Sequence, residues 1–96
     1  MNEYRLTRTA LKDLREIADY IALERPRSAN QLLAEMHDTM VLLAANPEMG
    51  RLRPEFPRQL HSFPVGNYMI FYRVLKSSVR VIRVLNGARD TRGMFE

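Results

Sequence analysis

The spacing of apolar residues changes at Pro47, and that change dictates the layers this chain can build. Upstream, Ala10, Leu14, Ile17 and Ile21 recur at intervals of four, three and four, with Leu11 and Ala18 widening the stripe. Lys12, Asp13, Arg15, Glu16 and Asp19 lie off it, so the segment reads as an amphipathic helix with its charges on the solvent face. Thr7 precedes it and offers a hydroxyl to a free backbone N–H. Pro26 ends it, because proline disfavours helical geometry in the residue before it. Ser28 with Gln31 predicts a capping box for a second helix. Its stripe is Ala29, Leu32, Leu33, Met36, Met40, Leu43 and Ala44, and Asn46-Pro47 closes it. The connection is short enough to make the two helices antiparallel.

Downstream of Pro47 the pattern is that of strands. Residues 47–58 hold Pro47, Gly50, Pro54 and Pro57 and predict an irregular linker. A strand is expected over Leu60–Phe63 and a turn over Pro64–Asn67. Tyr68–Val74 and Val79–Leu85, rich in aromatic and β-branched side chains, predict a hairpin around Lys76-Ser77-Ser78. Simple alternation puts Tyr68, Ile70, Tyr72 and Val74 on one face and Met69, Phe71 and Arg73 on the other. In the partner strand Arg80, Ile82 and Val84 oppose Val79, Val81, Arg83 and Leu85. Both faces are substantially apolar, so the helices should cover one and an oligomer contact or bound partner the other. With Glu3–Leu6 as an opening strand, the order is β-α-α-β-β-β. This predicts an α+β fold with an antiparallel helical hairpin packed on one face of a mostly antiparallel sheet. A length of 96 residues leaves no room for a second core, so a single domain over residues 1–96 is expected.

Several classes of function are excluded at this level. The longest apolar run, Met40–Ala45, is far shorter than the ~20 residues of a bilayer span. Met1–Arg5 lacks the basic-then-apolar pattern of a secretory signal, so a cytoplasmic location is expected. With no cysteine, and with His37 and His61 as the only imidazoles, no metal centre is expected. No glycine-rich loop is present to cradle a phosphate, so no cofactor is expected either. Met36 and Met40 read as core rather than as a cofactor pocket.

Charge is more informative than its total of +4 suggests. Residues 1–50 carry six basic against eight acidic side chains, a balance of −2, and residues 51–96 carry nine against three, a balance of +6. Arginine, whose planar fork captures carboxylate or phosphate in pairs of hydrogen bonds, supplies nearly all of the basic residues. An acidic partner, nucleic acid or acidic peptide, is therefore expected, with a merely solvated basic face as the alternative.

Four stretches in order carry a family resemblance: Leu6-Thr7-x-x-Ala10-x-x-Asp13-Leu14-x-x-Ile17; Leu43-Ala44-x-Asn46-Pro47-x-x-Gly50-Arg51; Phe63-Pro64-Val65-Gly66-Asn67-Tyr68-x-Ile70-Phe71-Tyr72-Arg73; and Arg83-Val84-Leu85-Asn86-Gly87-Ala88-Arg89-Asp90. Together they extend over nearly the whole chain, which resembles the ParE/RelE toxin superfamily of type II toxin–antitoxin modules and, within it, the ParE branch. One departure is Asn86, where many relatives carry histidine. The resemblance implies two competing functions. ParE-like toxins block DNA gyrase, trapping it on cleaved DNA, without catalysis of their own. RelE-like toxins are ribosome-dependent mRNA endonucleases.

RNA cleavage by 2′-hydroxyl attack needs a proton acceptor, a donor for the leaving oxygen and cations around the phosphate. At the places where the RelE branch keeps that set, this chain offers Leu60, Ser62, Met69 and Phe95, and only Arg89 matches. The gyrase reading is therefore preferred, with His61 and Arg89 as catalytic candidates under the endonuclease alternative. The resemblance also implies a ParD-like antitoxin with a ribbon-helix-helix domain and a disordered tail, and no direct contact with nucleic acid. Expected antitoxin contacts are Arg51, Arg53, Arg58, Tyr68, Tyr72 and Arg73. Expected target contacts are Arg83, Arg89, Asp90, Met94 and Phe95. An arginine in an apolar strand is costly to bury unpaired, so Arg83 is also expected to pair with a carboxylate, and Asp90 is the nearest along the chain.

Overall fold

The computed structural model describes residues 3–88, 91 and 95. Strand β1 (Glu3–Leu6) leads into helix α1 (Arg8–Ala22), helix α2 (Pro26–Ala45), a 3₁₀ turn over Pro47–Met49 and strands β2 (Arg51–Leu52), β3 (His61–Val65), β4 (Tyr68–Val74) and β5 (Ser78–Asn86). The sheet order is β1-β5-β4-β3-β2. Strand β1 lies parallel to β5 and the other pairs are antiparallel. The expected α+β architecture is therefore present, with one short strand, β2, inside the segment predicted to be irregular.

Local chemistry explains the boundaries. Thr7 caps α1 as predicted: its hydroxyl accepts a hydrogen bond from Ala10 N (3.0 Å) and donates one to Ile82 O (2.9 Å), tying the helix start to β5. Helix α2 departs from the reading based on Ser28. It begins at Pro26 with Arg25 as its cap and no capping side chain. Proline has the helical φ already set and lacks an N–H that the first turn would leave unpaired, so the helix starts ahead of the expected capping box. The β3–β4 turn shrinks to Gly66-Asn67, with Val65 opposite Tyr68. Gly66 takes the positive φ (57°) that a glycine-first hairpin turn requires. Pro64 is accommodated in β3 because β2 pairs only with His61 and Ser62, leaving the strand's outer edge open at Pro64.

Two apolar clusters hold the layers together. Ala10, Leu14, Met36, Met40 and Leu43 of the helices pack on Val65, Ile70, Tyr72, Val79, Val81 and Val84 of the sheet. Leu11 and Leu33, read as part of the stripes, are exposed. On the opposite face Phe56, Leu60, Phe71 and Leu85 form a second cluster with Met69, Ile82 and Phe95 packed against it. This corrects the expectation of an external cover. The chain's own loop 53–60, together with Phe95, lies on that face. A bulge makes the two clusters possible: Phe71 pairs with Arg83 but Tyr72 with Val81, so Ile82 is an extra residue in β5. Alternation resets there. Val84 consequently joins Val79 and Val81 beneath the helices and Leu85 turns to the other face, contrary to the unbroken alternation expected.

Candidate functional site

An open groove of about 860 Å³ lies at the β2 end of the sheet, lined by Asn46, Pro47, Glu48, Met49, Leu52, Gln59, His61 and Val74. Behind the lining lies Tyr72, which is fully buried and contacts Pro47 and His61. The Tyr72 hydroxyl donates to Pro47 O (2.7 Å) and accepts from Gly50 N (3.0 Å), so one side chain of the central hairpin fixes the 3₁₀ corner. Burial pushes the Tyr72 pKa up, against the smaller opposing effect of the Gly50 hydrogen bond. His61 stacks on the Tyr72 ring (centroids 5.3 Å apart), and its Nδ1 is buried without a hydrogen-bond partner. No lysine or arginine is among these lining residues, so the fixed positive charge that phosphate cleavage needs is missing from this lining. The apolar side chains of Met49, Leu52 and Val74, each largely exposed, instead suit an apolar segment of another chain.

On the face away from the helices, Arg53 dominates. Its Nε donates to Glu55 Oε2 (2.8 Å) and its Nη1 to Ser62 Oγ (3.1 Å), while its guanidinium lies 5.4 Å and 5.9 Å from the ring centroids of Phe56 and Phe71. The Glu55 backbone N–H, then the Arg53 hydrogen bond, hold the Glu55 carboxyl below its ordinary range. Phe95 completes the cluster, 5.0 Å from Phe56 and 4.9 Å from Phe71. A small cavity of about 120 Å³ remains between Arg53, Met69, Phe71, Asn86, Gly87 and Thr91. Thioether, phenyl, amide and hydroxyl groups surround it, and its one charged group is an arginine already engaged. No lining side chain there titrates near neutral pH to serve as an acid or base. Asn86 spends its Oδ1 on Ala88 N (2.9 Å), which shapes the turn that follows β5.

Arg83 does pair with a carboxylate, and among the described residues that carboxylate is Asp13; Asp90, the partner expected from the sequence, lies outside them. Its Nε and Nη2 donate to the two Asp13 oxygens at 2.8 and 3.0 Å, and Val84 N adds a third hydrogen bond at 3.0 Å. The hydrogen bond to Asp13 raises the Arg83 pKa, outweighing burial. Asp13 is thus buried, not on the solvent face. The signal was in the sequence: Asp13 stands three residues after Ala10 and four before Ile17, which is the spacing of the apolar stripe itself.

The remaining expected contacts separate. Arg51 and Arg58 are exposed, Tyr68 and Arg73 are half-buried, and Tyr72 has no surface to offer a partner. Tyr68 packs with the helices against the main cluster. Arg89, Asp90 and Met94 lie outside the described residues. Sequence reasoning missed the groove, because it is assembled from the α2 terminus, β2, β3 and β4.

A helical hairpin laid on one face of a five-stranded mixed sheet defines the fold of small toxins known from toxin–antitoxin complexes. The chain resembles a chain of the chromosomal ParDE toxin–antitoxin system from P. aeruginosa, with TM-score 0.74 and 19% identity over 90% of this chain and 95% of that one. It also resembles a chain of the toxin–antitoxin complex RelBE2 from Mycobacterium tuberculosis, with TM-score 0.64 and 23% identity over 88% and 96% of the two chains. None of the curated proteins compared with it matches. The family described as the ParE toxin of the type II toxin–antitoxin system parDE matches residues 4–91, and the chain belongs to that family.

Proposed function

We propose that this ParE-family toxin inhibits DNA gyrase without catalysis of its own and is neutralised by a ParD-like antitoxin, the whole chain acting as one toxin domain. The observation that carries the reading is the cluster around Arg53. Where a nuclease of this fold needs groups that move protons, the chain has packed Phe71, Met69 and Phe95 and locked the nearest guanidinium onto Glu55 and Ser62. Such a surface can bind but has little with which to cut. The antitoxin's tail would use the groove, inserting apolar side chains beside Met49, Leu52 and Val74. Exposed Arg51, the chain neighbour of Leu52, would meet acidic residues of a tail that continues over the sheet edge. Purified toxin should stop gyrase from supercoiling relaxed plasmid, and equimolar antitoxin should restore the activity.

One observation favours a second reading, mRNA cleavage on the ribosome: the unpartnered His61 Nδ1 in the groove. Under it, ribosomal A-site cutting would be lost in both His61→Gln and Arg89→Ala.

A further inference from the structure

Arg5, Arg80 and Arg73 occupy one register row across three neighbouring strands. Arg5 is opposite Arg80 in the parallel β1–β5 pair, and Arg80 is opposite Arg73 in the antiparallel β5–β4 pair. Their chain neighbours Tyr4, Leu6, Val79, Val81 and Tyr72 pack beneath the helices. Alternation therefore turns all three guanidinium groups to the other face. Arg58 approaches from loop 53–60: burial pushes the Arg73 pKa down, and the charges of Arg58 and Arg80 push it further. Among the described residues, none of the four forms an ion pair with a carboxylate.

Three features of this row cost the fold free energy without serving it. Like charges directly opposite in a ladder destabilise it. Arg73 Nε is buried with no hydrogen-bond partner. Arg58 and the residue after it, Gln59, hold positive φ values of 64° and 53°, a region that is unfavourable for a residue with a Cβ. A bound polyanion would offset the first two and give the third a purpose, since that strained corner carries Arg58 to the row.

We propose that Arg5, Arg80, Arg73 and Arg58 bind the phosphate backbone of duplex DNA directly. Strand spacing makes the Arg5–Arg80–Arg73 row about 10 Å long, and phosphates recur every ~3.4 Å along one strand of duplex DNA, so about three of them span the row and Arg58 can take a fourth. Single-stranded binders add exposed aromatic platforms. Among the described residues on this face, Phe56 and Phe71 are buried and Phe95 is packed between them. An acidic protein tail needs apolar anchors, and those lie in the groove on the helix side of the sheet. The inference stands apart from the gyrase reading, because it concerns naked DNA, and it departs from the expectation, drawn from the resemblance, of no direct contact with nucleic acid.

The test is fluorescence anisotropy of the full chain with a labelled duplex of about 20 base pairs, between about 50 and 200 mM salt. Four phosphate contacts predict an affinity loss of about 150-fold over that range, from a slope near −0.9 per phosphate. Arg5→Gln/Arg80→Gln, two exposed positions, should keep the wild-type circular dichroism and reduce that loss to about 12-fold. An unchanged salt slope in the double variant would overturn the proposal. So would a poly-glutamate peptide that displaces the duplex at equal charge concentration, because the row would then be an acidic-tail site.

Discussion

Replacing Asp13 tests how the C-terminal strand is held to the first helix. Its carboxylate accepts three hydrogen bonds, two from Arg83 and one from Val84 N, and its side chain is only 9% exposed. Breaking a buried ion pair costs about 3–5 kcal/mol, but the Arg83 side chain is 21% exposed and recovers some hydration when freed. A loss of about 3 kcal/mol is therefore expected for Asp13→Ala, with Val84 N–H and the guanidinium both left short of partners. Asp13→Asn keeps one acceptor and loses the charge, so about 2 kcal/mol is expected. Arg83→Met keeps the stem and leaves Val84 bonded to Asp13, but it strands the buried carboxylate without its cation and should also cost about 3 kcal/mol. Urea unfolding followed by circular dichroism would measure each, the Asp13→Ala midpoint falling by about 2 M for a chain of this size. In the double-mutant cycle of Asp13→Asn with Arg83→Met, a coupling of about 1 kcal/mol or more is expected. Coupling near zero, or a cost carried by Asp90→Asn and not by Asp13→Asn, would refute the assignment.

Tyr72→Phe removes the hydroxyl that joins Pro47 O to Gly50 N and should cost about 2 kcal/mol in the same unfolding assay. Because burial raises the folded Tyr72 pKa above its ordinary 10.0, the folded state holds that proton more tightly. The associated stability is complete below about pH 10 and is lost as pH rises through the folded value, so the gap between wild type and Tyr72→Phe should narrow above pH 10. Gly50→Ala would drive a methyl into the Tyr72 hydroxyl and ring, and thermal melts should show about 1–3 kcal/mol of destabilisation. Gly66→Ala meets no neighbouring atom but must hold φ at 57°, so it should cost about 1 kcal/mol, read by the same melts.

Much of the fold was legible because it rests on periodicity. The helical stripes, the Thr7 cap and the β4–β5 hairpin follow from residue spacing alone. Two things were not, and a third was legible but discounted. The bulge at Ile82 shifts the alternation of β5 by one residue, and a single apolar residue among apolar neighbours gives no sign of it. The cover of the second sheet face comes from Phe56 and Leu60, lone apolar residues in a proline-rich loop whose shape depends on tertiary contacts such as Arg53 N to Leu60 O (2.8 Å). Asp13 was legible by spacing but discounted for its charge, since its partner Arg83 lies 70 residues away. The site was less legible than the fold. That Met69 and Phe95 themselves carry no group to move a proton could be read from residue types, whereas the groove and the arginine row exist only once strands are placed side by side.

The central question is whether this toxin acts by binding rather than by cutting. The most direct measurement incubates the purified chain with gyrase, ATP and relaxed plasmid, and follows supercoiled and cleaved DNA by gel after protein denaturation. Supercoiling should stop, and linear DNA should accumulate as the toxin approaches stoichiometry with the enzyme. Normal supercoiling at large molar excess of toxin, with cutting of ribosome-bound mRNA by the same preparation, would contradict it.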